Sequence, residues 1–141
     1  MEINQREIAQ KSPLSLALVG DAFLTLFWRE QIVRRTDVKV GEAHRKVSEL
    51  IKAKTQNEYF NLVKQTFTEV EEEIANRARN AKHHSTPKNC TLAEYRGATA
   101  FEAVIGYNYL IGDIERCIVL TNRILAGPGG EYDIWRLAND N

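Results

Sequence analysis

Two carboxylates stand alone in stretches that otherwise carry no charge. Residues 12–28 read SPLSLALVGDAFLTLFW, where Asp21 is the single charged residue, and residues 97–112 read GATAFEAVIGYNYLIG, where Glu102 is. Both stretches have the composition of core helices, where an isolated ionised carboxylate costs several kcal/mol unless it is paired or bound to a cation. Hard carboxylate oxygens on rigid helices suit Mg²⁺ or Mn²⁺, which take their remaining ligands from water and substrate phosphates. The predicted chemistry is metal-assisted hydrolysis of a phosphate ester.

Structural explanations of the same two acids stay open at this point. A solitary acid in a helix is more often at the solvent edge or paired with a basic side chain, and Arg29 and Arg96 could be such partners. A membrane location is not expected, because both stretches are shorter than the roughly 20 apolar residues that span a bilayer and contain Ser, Thr, Gly or Asn.

A basic segment precedes the second acidic stretch. Residues 75–93 read ANRARNAKHHSTPKNCTLA and contain no acid. Clustered cations with Asn, Ser and Thr donors suit contact with a phosphate backbone, which they neutralise without reading its sequence. The alternative is a solvated loop that balances the acids just upstream, Glu69, Glu71, Glu72 and Glu73. His83 and His84 lack a third ligand at a convincing spacing, so a zinc site is not favoured.

Helices must position these residues. Apolar residues recur at helical spacing, with no sustained strand alternation, which predicts an all-α bundle with helices near 13–35, 41–54, 56–67, 69–79, 92–111 and 113–126. Ser12 is the expected N-cap of the first, ahead of Pro13, Gly41 is expected to separate two helices, and Gly127-Pro128-Gly129-Gly130 to end the last. Small residues near the acids should let their helices approach closely, namely Gly20, Ala22, Ala98 and Gly106.

Composition bounds the class of protein. The 141 residues are 43% hydrophobic and 27% charged, which predicts one globular domain, and 19 cationic residues match 19 acidic ones, so net charge gives no hint of a polyanion partner. Cys90 and Cys117 are too few for a disulfide framework, and the first residues lack the features of an export or import signal. We therefore expect the cytoplasm.

At these motifs the sequence resembles a known family. Residues 16–22, LALVGDA, resemble the signature helix of the ribonuclease III endonuclease domain, and residues 99–107, TAFEAVIGY, resemble its second acidic motif. The segments 77–82, 87–89 and 95–96 are similar to a loop of the Mini-ribonuclease III branch. Larger members place further acids at the positions of Ala17 and Thr99, which puts tight metal binding and a two-metal mechanism in doubt.

The resemblance implies a ribonuclease III endonuclease-domain-like helical bundle over residues 1–126, followed by a loosely ordered tail, 127–141, with no double-stranded-RNA-binding domain. It implies a homodimer that cuts double-stranded RNA with Mg²⁺, or Mn²⁺ as a substitute, leaves 5′-phosphate and 3′-hydroxyl ends, and matures the ends of large-subunit (23S-type) ribosomal RNA precursor; no DNA partner is expected.

The expected site has three groups of residues. Asp21 and Glu102 hold the metal and catalyse, and Thr99 orients a water molecule. The residues expected to bind RNA phosphates are Arg77, Arg79, Asn80, Lys82, Lys88 and Arg96. Two alternatives remain: an RNA-binding homologue without catalysis, and a metal-dependent hydrolase of a small phosphorylated metabolite.

Overall fold

The computed structural model describes residues 4–82 and 88–125, and these form helices with no strand. The helices are α1 (Gln5–Ala9), α2 (Pro13–Arg35), α3 (Val40–Ile51), α4 (Ala53–Val63), α5 (Glu69–Asn80), α6 (Leu92–Leu110) and α7 (Ile114–Leu125), with a 3-10 turn at Lys64–Thr66. The predicted all-α bundle is confirmed. The predicted tail at 127–141 and the glycine-rich end of the last helix lie outside the described residues, so the proposed domain boundary at 126 stays a prediction.

Helix α6 is the centre of the bundle. Its residues 97–108 are all buried except Glu102, which is the pattern of a helix surrounded by protein, and α2, α4 and α5 pack around it. Three buried aromatic rings join the layers: Trp28 of α2 lies 5.9 Å from Tyr59 of α4, which lies 6.2 Å from Phe101 of α6, centroid to centroid. Large buried rings dominate core energetics, so this chain of contacts fixes α2 and α4 on α6.

Two reciprocal caps start α5 and α6. The Thr68 hydroxyl accepts a hydrogen bond from the Glu71 amide at 3.2 Å, while a Glu71 carboxylate oxygen accepts one from the Thr68 amide at 2.9 Å. Thr91 and Glu94 repeat the pattern at 3.1 and 2.8 Å. Each box satisfies two backbone amides that a helix start leaves without a partner, which defines where α6 enters the bundle.

Helix α2 begins at Pro13 as predicted, although the Ser12 hydroxyl makes no capping hydrogen bond. Gly41 does not separate two helices: it lies within the first turn of α3. The break occurs instead at residues 36–39, where the amide and the hydroxyl of Thr36 both donate to the Ile32 carbonyl, at 2.9 and 2.8 Å, and its backbone turns extended. The short helix α1 was not predicted.

The break between the predicted helices 41–54 and 56–67 lies at Lys52, three residues earlier than predicted. The backbone of Lys52 is extended, with φ −68° and ψ 153°, so α3 ends at Ile51 and α4 begins at Ala53. The buried Gln56 side chain donates to the Ile51 carbonyl at 3.1 Å and thereby occupies an acceptor at the end of α3. No glycine or proline marks this joint in the sequence.

A buried ion pair holds α7 to the rest of the bundle. Glu71 of α5, 2% exposed, accepts from the Arg116 guanidinium at 2.8 and 3.0 Å and from the Asn108 side-chain amide at 2.8 Å. Arg116 also donates to the Thr66 carbonyl at 2.9 Å. Burial alone would raise the pKa of Glu71, but the hydrogen bonds from Arg116, the Thr68 backbone and Asn108 outweigh it and lower the pKa.

Within the described part of the chain, none of the helices combines the length and the apolar character needed to cross a bilayer.

Candidate active site

Two glycines bring the acidic helices into backbone contact. A Cβ atom on Gly20 would lie 1.8 Å from the Glu102 carbonyl oxygen, and one on Gly106 would lie 1.8 Å from the Leu16 carbonyl oxygen. Only residues without a Cβ allow α2 and α6 to cross this closely. Ala98 is also buried, as predicted, whereas Ala22 is exposed on the outer side of α2, so the expectation for Ala22 was wrong.

The crossing places Asp21 and Glu102 in contact. Asp21 is exposed and Glu102 is partly buried. Burial raises the pKa of Glu102 well above its ordinary value, and the negative charge of Asp21 and a hydrogen bond between the two side chains raise it further. Two carboxyl groups this close can share a proton or a cation, because both cannot be ionised without a counter-charge.

The two acids lie in a cleft of about 430 Å³. Its walls come from α2, from α6 and from the joint between α3 and α4, and they are Leu14, Ala17, Leu18, Asp21, Ile51, Ala53, Tyr95, Ala98, Thr99 and Glu102. The lining is apolar except for the two acids, Thr99 and Tyr95. A polar substrate group that enters it therefore meets the carboxylates as the dominant charged partners.

Thr99 stands one turn before Glu102, at the cleft. The side chain is 5% exposed, and its hydroxyl donates to the Tyr95 carbonyl at 2.9 Å. Because that proton is engaged by the helix backbone, the oxygen can serve the cleft only as an acceptor. If Thr99 orients a water molecule as expected, it must do so by accepting a hydrogen bond from that water.

The donor set fits a hard divalent cation. Neither acid forms an ion pair with a basic residue in the described ranges, so the structural pairing with Arg29 or Arg96 is not observed. No group of three or more Asp, Glu, His or Cys side chains gathers in the described part of the chain, so the protein would supply two carboxylates and leave the other positions to water and phosphate. Mg²⁺ is held in this way more often than in all-protein cages.

The basic segment divides into two parts. Arg77 donates to the carbonyls of Ala9 and Lys11, at 2.5 and 2.9 Å, and so ties α5 to the connection between α1 and α2. Asn80 and Arg77 line a separate groove of about 700 Å³ together with Glu69, Glu72 and Glu73. For Arg77 and Asn80, these positions favour the alternative interpretation, in which the segment balances the charge of the acids upstream of it.

The other predicted RNA contacts are open to solvent. Arg79, Lys82, Lys88 and Arg96 are exposed, and the Arg79 guanidinium lies 5.7 Å from the centre of the Phe60 ring. Lys88 and Arg96 bracket the start of α6, the helix that carries Glu102. His83, His84 and Pro87 lie outside the described residues.

Sequence reasoning did not assign several cleft residues to the site, among them Tyr95, Ile51 and Ala53. Tyr95 precedes Thr99 by four residues and Glu102 by seven, a spacing that puts all three on one side of α6 and could have identified Tyr95. Ile51 and Ala53 come from a different part of the chain, and no motif links them to the acids.

Comparison with known proteins agrees with this arrangement. Residues 14–113 match the family described as the Ribonuclease III domain. The Mini-ribonuclease 3 of Symbiobacterium thermophilum is 40% identical over 104 residues, covering 74% of this chain and 80% of that protein. The Mini-ribonuclease 3 of Thermoanaerobacter sp. is 38% identical over 114 residues, covering 81% and 80%.

A solved structure has the same fold. The crystal structure of a protein from Fusobacterium nucleatum superposes with a TM-score of 0.77 at 30% identity, covering 84% of this chain and 94% of that one. With the family match across most of the chain and relatives that it covers for four fifths of their length, this protein belongs to the ribonuclease III family of RNA endonucleases, in its Mini-ribonuclease 3 branch.

Proposed function

We propose that this protein is a metal-dependent endoribonuclease that cleaves double-stranded RNA at the acid pair of Asp21 and Glu102. The observation that carries the proposal is the contact between these two carboxyl groups in one cleft, with no basic residue of the described ranges paired to either. A structural acid would be expected to have such a partner, as Glu71 does. The mutual contact therefore supports a site built for an external cation.

The carboxylates of Asp21 and Glu102 would hold Mg²⁺, with Mn²⁺ as a substitute. When bound, the ion supplies charge for the transition state and lowers the pKa of an attacking water. The bound ion would also supply the counter-charge that the two neighbouring carboxyl groups need. Thr99, an acceptor with its own proton engaged, orients the water.

The RNA backbone would be bound by the exposed cations of the basic segment and the start of α6. Arg79, Lys82, Lys88 and Arg96 are the proposed contacts, while Arg77 and Asn80 are weaker candidates because of their positions on the acidic groove. A duplex offers phosphates and 2′-hydroxyls along a regular shape, so binding through these groups does not require a base code. We expect no comparable activity on DNA.

A homodimer is the proposed active form, as the family resemblance implies. Helix α2 carries an exposed apolar stripe, with Leu18, Leu26 and Val33 exposed by 74%, 66% and 73%. Their spacing of eight and seven residues puts them on one side of the helix. Because Leu18 also lines the acid cleft, a second copy on this stripe would bring its own acid pair to the same surface.

We further propose that the natural substrate is a precursor of large-subunit (23S-type) ribosomal RNA in the cytoplasm, cut to 5′-phosphate and 3′-hydroxyl ends. The names of the relatives support ribonuclease chemistry. The alternative is a homologue that binds RNA and does not cut it.

The test is a gel assay of a long RNA duplex with and without Mg²⁺, beside Asp21→Asn and the matched control Asp37→Asn. Asp37 is an exposed acid between α2 and α3, sixteen residues after Asp21 and beyond the end of the helix that carries it. Metal-dependent cutting that Asp21→Asn loses and Asp37→Asn keeps would support the proposal. Binding without cutting under Mg²⁺ and Mn²⁺ would establish the inactive alternative.

A further inference from the structure

One wall of the acid cleft belongs to neither acidic helix. It is formed by Ile51, the last residue of α3, and Ala53, the first residue of α4. Between them lies Lys52, and Lys54 follows at once. The α3–α4 joint, residues 51–54, therefore borders the same cleft as Asp21 and Glu102.

Buried contacts hold this joint in a fixed position. The Gln56 side chain, 2% exposed, donates to the Ile51 carbonyl and so ties α4 to the end of α3. One residue later, Asn57 fits against α6, where a Cβ on Gly97 would lie 1.7 Å from its side-chain oxygen. Because α6 also carries Glu102, packing rather than a free loop sets the joint beside the acid pair.

The joint is basic at its surface. Residues 51–54 read IKAK, and the nearest acids along the chain are Glu49 and Glu58. Lys54 is exposed, and no ion pair connects it to another residue in the ranges 4–82 and 88–125. Lys52 pairs with Glu49 at 2.6 Å, but both side chains are about half exposed, at 49% and 56%. Such an exposed pair contributes little, so a phosphate can replace the glutamate.

A strand of RNA in the cleft needs positive charge at this place. A divalent cation held by the two carboxylates offsets the charge of the acids themselves, but the phosphates on either side of the cut bond remain unbalanced. Lysine suits such positions because its ammonium group is a point charge that binds phosphate without reading bases.

We propose that the α3–α4 joint is a second RNA-binding site, separate from the basic segment, and that it binds phosphates of the strand being cut next to the reacting bond. Lys54 is the principal contact and Lys52 the second. This inference rests on the proposed function, since it assigns the joint to the same RNA strand.

The test compares Lys54→Ala with Lys39→Ala, a matched exposed lysine at the N-cap of α3, twelve residues before the end of that helix and so roughly 18 Å away along its axis. Dissociation constants for one RNA duplex are measured over a series of salt concentrations, in a Glu102→Gln background that keeps the RNA intact. Lys54→Ala should weaken binding and reduce the slope of log K against log salt by about one unit. Lys54→Arg should retain the slope, and Lys39→Ala should leave it unchanged.

Cleavage kinetics give an independent readout. In the active protein Lys54→Ala should raise KM and leave kcat close to normal, because a contact to a neighbouring phosphate that does not itself react stabilises bound substrate and transition state alike. Equal effects of Lys54→Ala and Lys39→Ala on slope and KM would overturn the inference while the proposed function stands. A wild-type chain that binds no RNA duplex would overturn both.

Discussion

Glu71 and Glu102 are withdrawn from solvent in the same helical bundle, yet their pKa values move in opposite directions. Glu71 accepts hydrogen bonds from Arg116 and Asn108, which lower its pKa despite its burial. Glu102 instead faces Asp21, and burial together with that neighbour raises its pKa. One carboxylate has its counter-charge within the protein, and the other has none among residues 4–82 and 88–125.

We propose that the difference separates a structural acid from a functional one. A buried charge that is fully hydrogen-bonded links elements of the fold, as Glu71 links α5, α6 and α7. A charge left beside another of the same sign lowers stability and persists where a ligand supplies what is missing. Burial of a carboxylate alone would not have told these two roles apart.

The largest expected effect tests this contrast through activity. Glu102→Gln should reduce RNA cutting by at least about a thousandfold, because metal binding contributes several kcal/mol to the transition state. Glu71→Gln should keep cutting near normal when rates are corrected for the folded fraction. Initial rates on one labelled duplex in Mg²⁺ measure both. Comparable loss in the two variants would show that the two acids do not differ in role.

The helix crossing beneath the acid pair can be broken directly. Gly106→Ala places a methyl group 1.8 Å from the Leu16 backbone oxygen, so α2 and α6 must separate, at a cost of about 3 kcal/mol. Gly41→Ala is the matched control, because its Cβ meets nothing within 4 Å and alanine favours a helix by up to about 1 kcal/mol. Urea unfolding measures both, and equal stability of the two variants would contradict the close crossing.

Replacement of Glu71 should lower the stability of the protein. Glu71→Gln is expected to lower the free energy of unfolding by about 2–3 kcal/mol, less than the roughly 3–5 kcal/mol for a fully buried pair, since Arg116 is 23% exposed. Urea denaturation at neutral pH measures the change. An unchanged midpoint would mean that Arg116 and Asn108 find other partners without loss.

Glu71 should also make the protein less stable in acid. The folded pKa of Glu71 lies below its ordinary value of 4.5, so its contribution is present above that pH and is lost as pH falls through the folded value. The wild-type midpoint should therefore decline more steeply between about pH 5 and pH 3 than that of Glu71→Gln. Parallel curves for the two proteins would remove Glu71 as a source of this dependence.

The sequence alone predicts the acid pair of Asp21 and Glu102 but not the role of Glu71. Asp21 and Glu102 were identifiable because each is the single charge of a long apolar stretch, and glycines on both helices predicted their approach. Helical periodicity likewise predicted most of α2, α5 and α6. Each of these features involves residues that are close together in the sequence, so the sequence alone is enough to recognise it.

Long-range pairings could not be predicted in the same way. Glu71 was assigned to an acidic run that balances the basic segment, but its partner Arg116 is 45 residues away. Arg77 was expected to contact RNA, yet it donates to carbonyls 66 and 68 residues earlier. The joint between α3 and α4 was predicted at residue 55 but lies at Lys52, because its position depends on the buried Gln56 amide rather than on a glycine or proline.

The smallest expected effect concerns the cation itself. Mg²⁺ at ten times its dissociation constant should stabilise the wild-type protein by about 1.4 kcal/mol, since it binds the folded chain through two carboxylates that the unfolded chain does not bring together. Thermal unfolding in Mg²⁺ and in a chelator measures the shift. Asp21→Asn and Glu102→Gln should lose the stabilisation by Mg²⁺. Glu71→Gln should keep it, although this variant is less stable than the wild-type protein without Mg²⁺. A shift that survives in both cleft variants would place the cation elsewhere, and one lost in Glu71→Gln would mean that the two acidic centres are coupled through α6, which carries both Glu102 and Asn108.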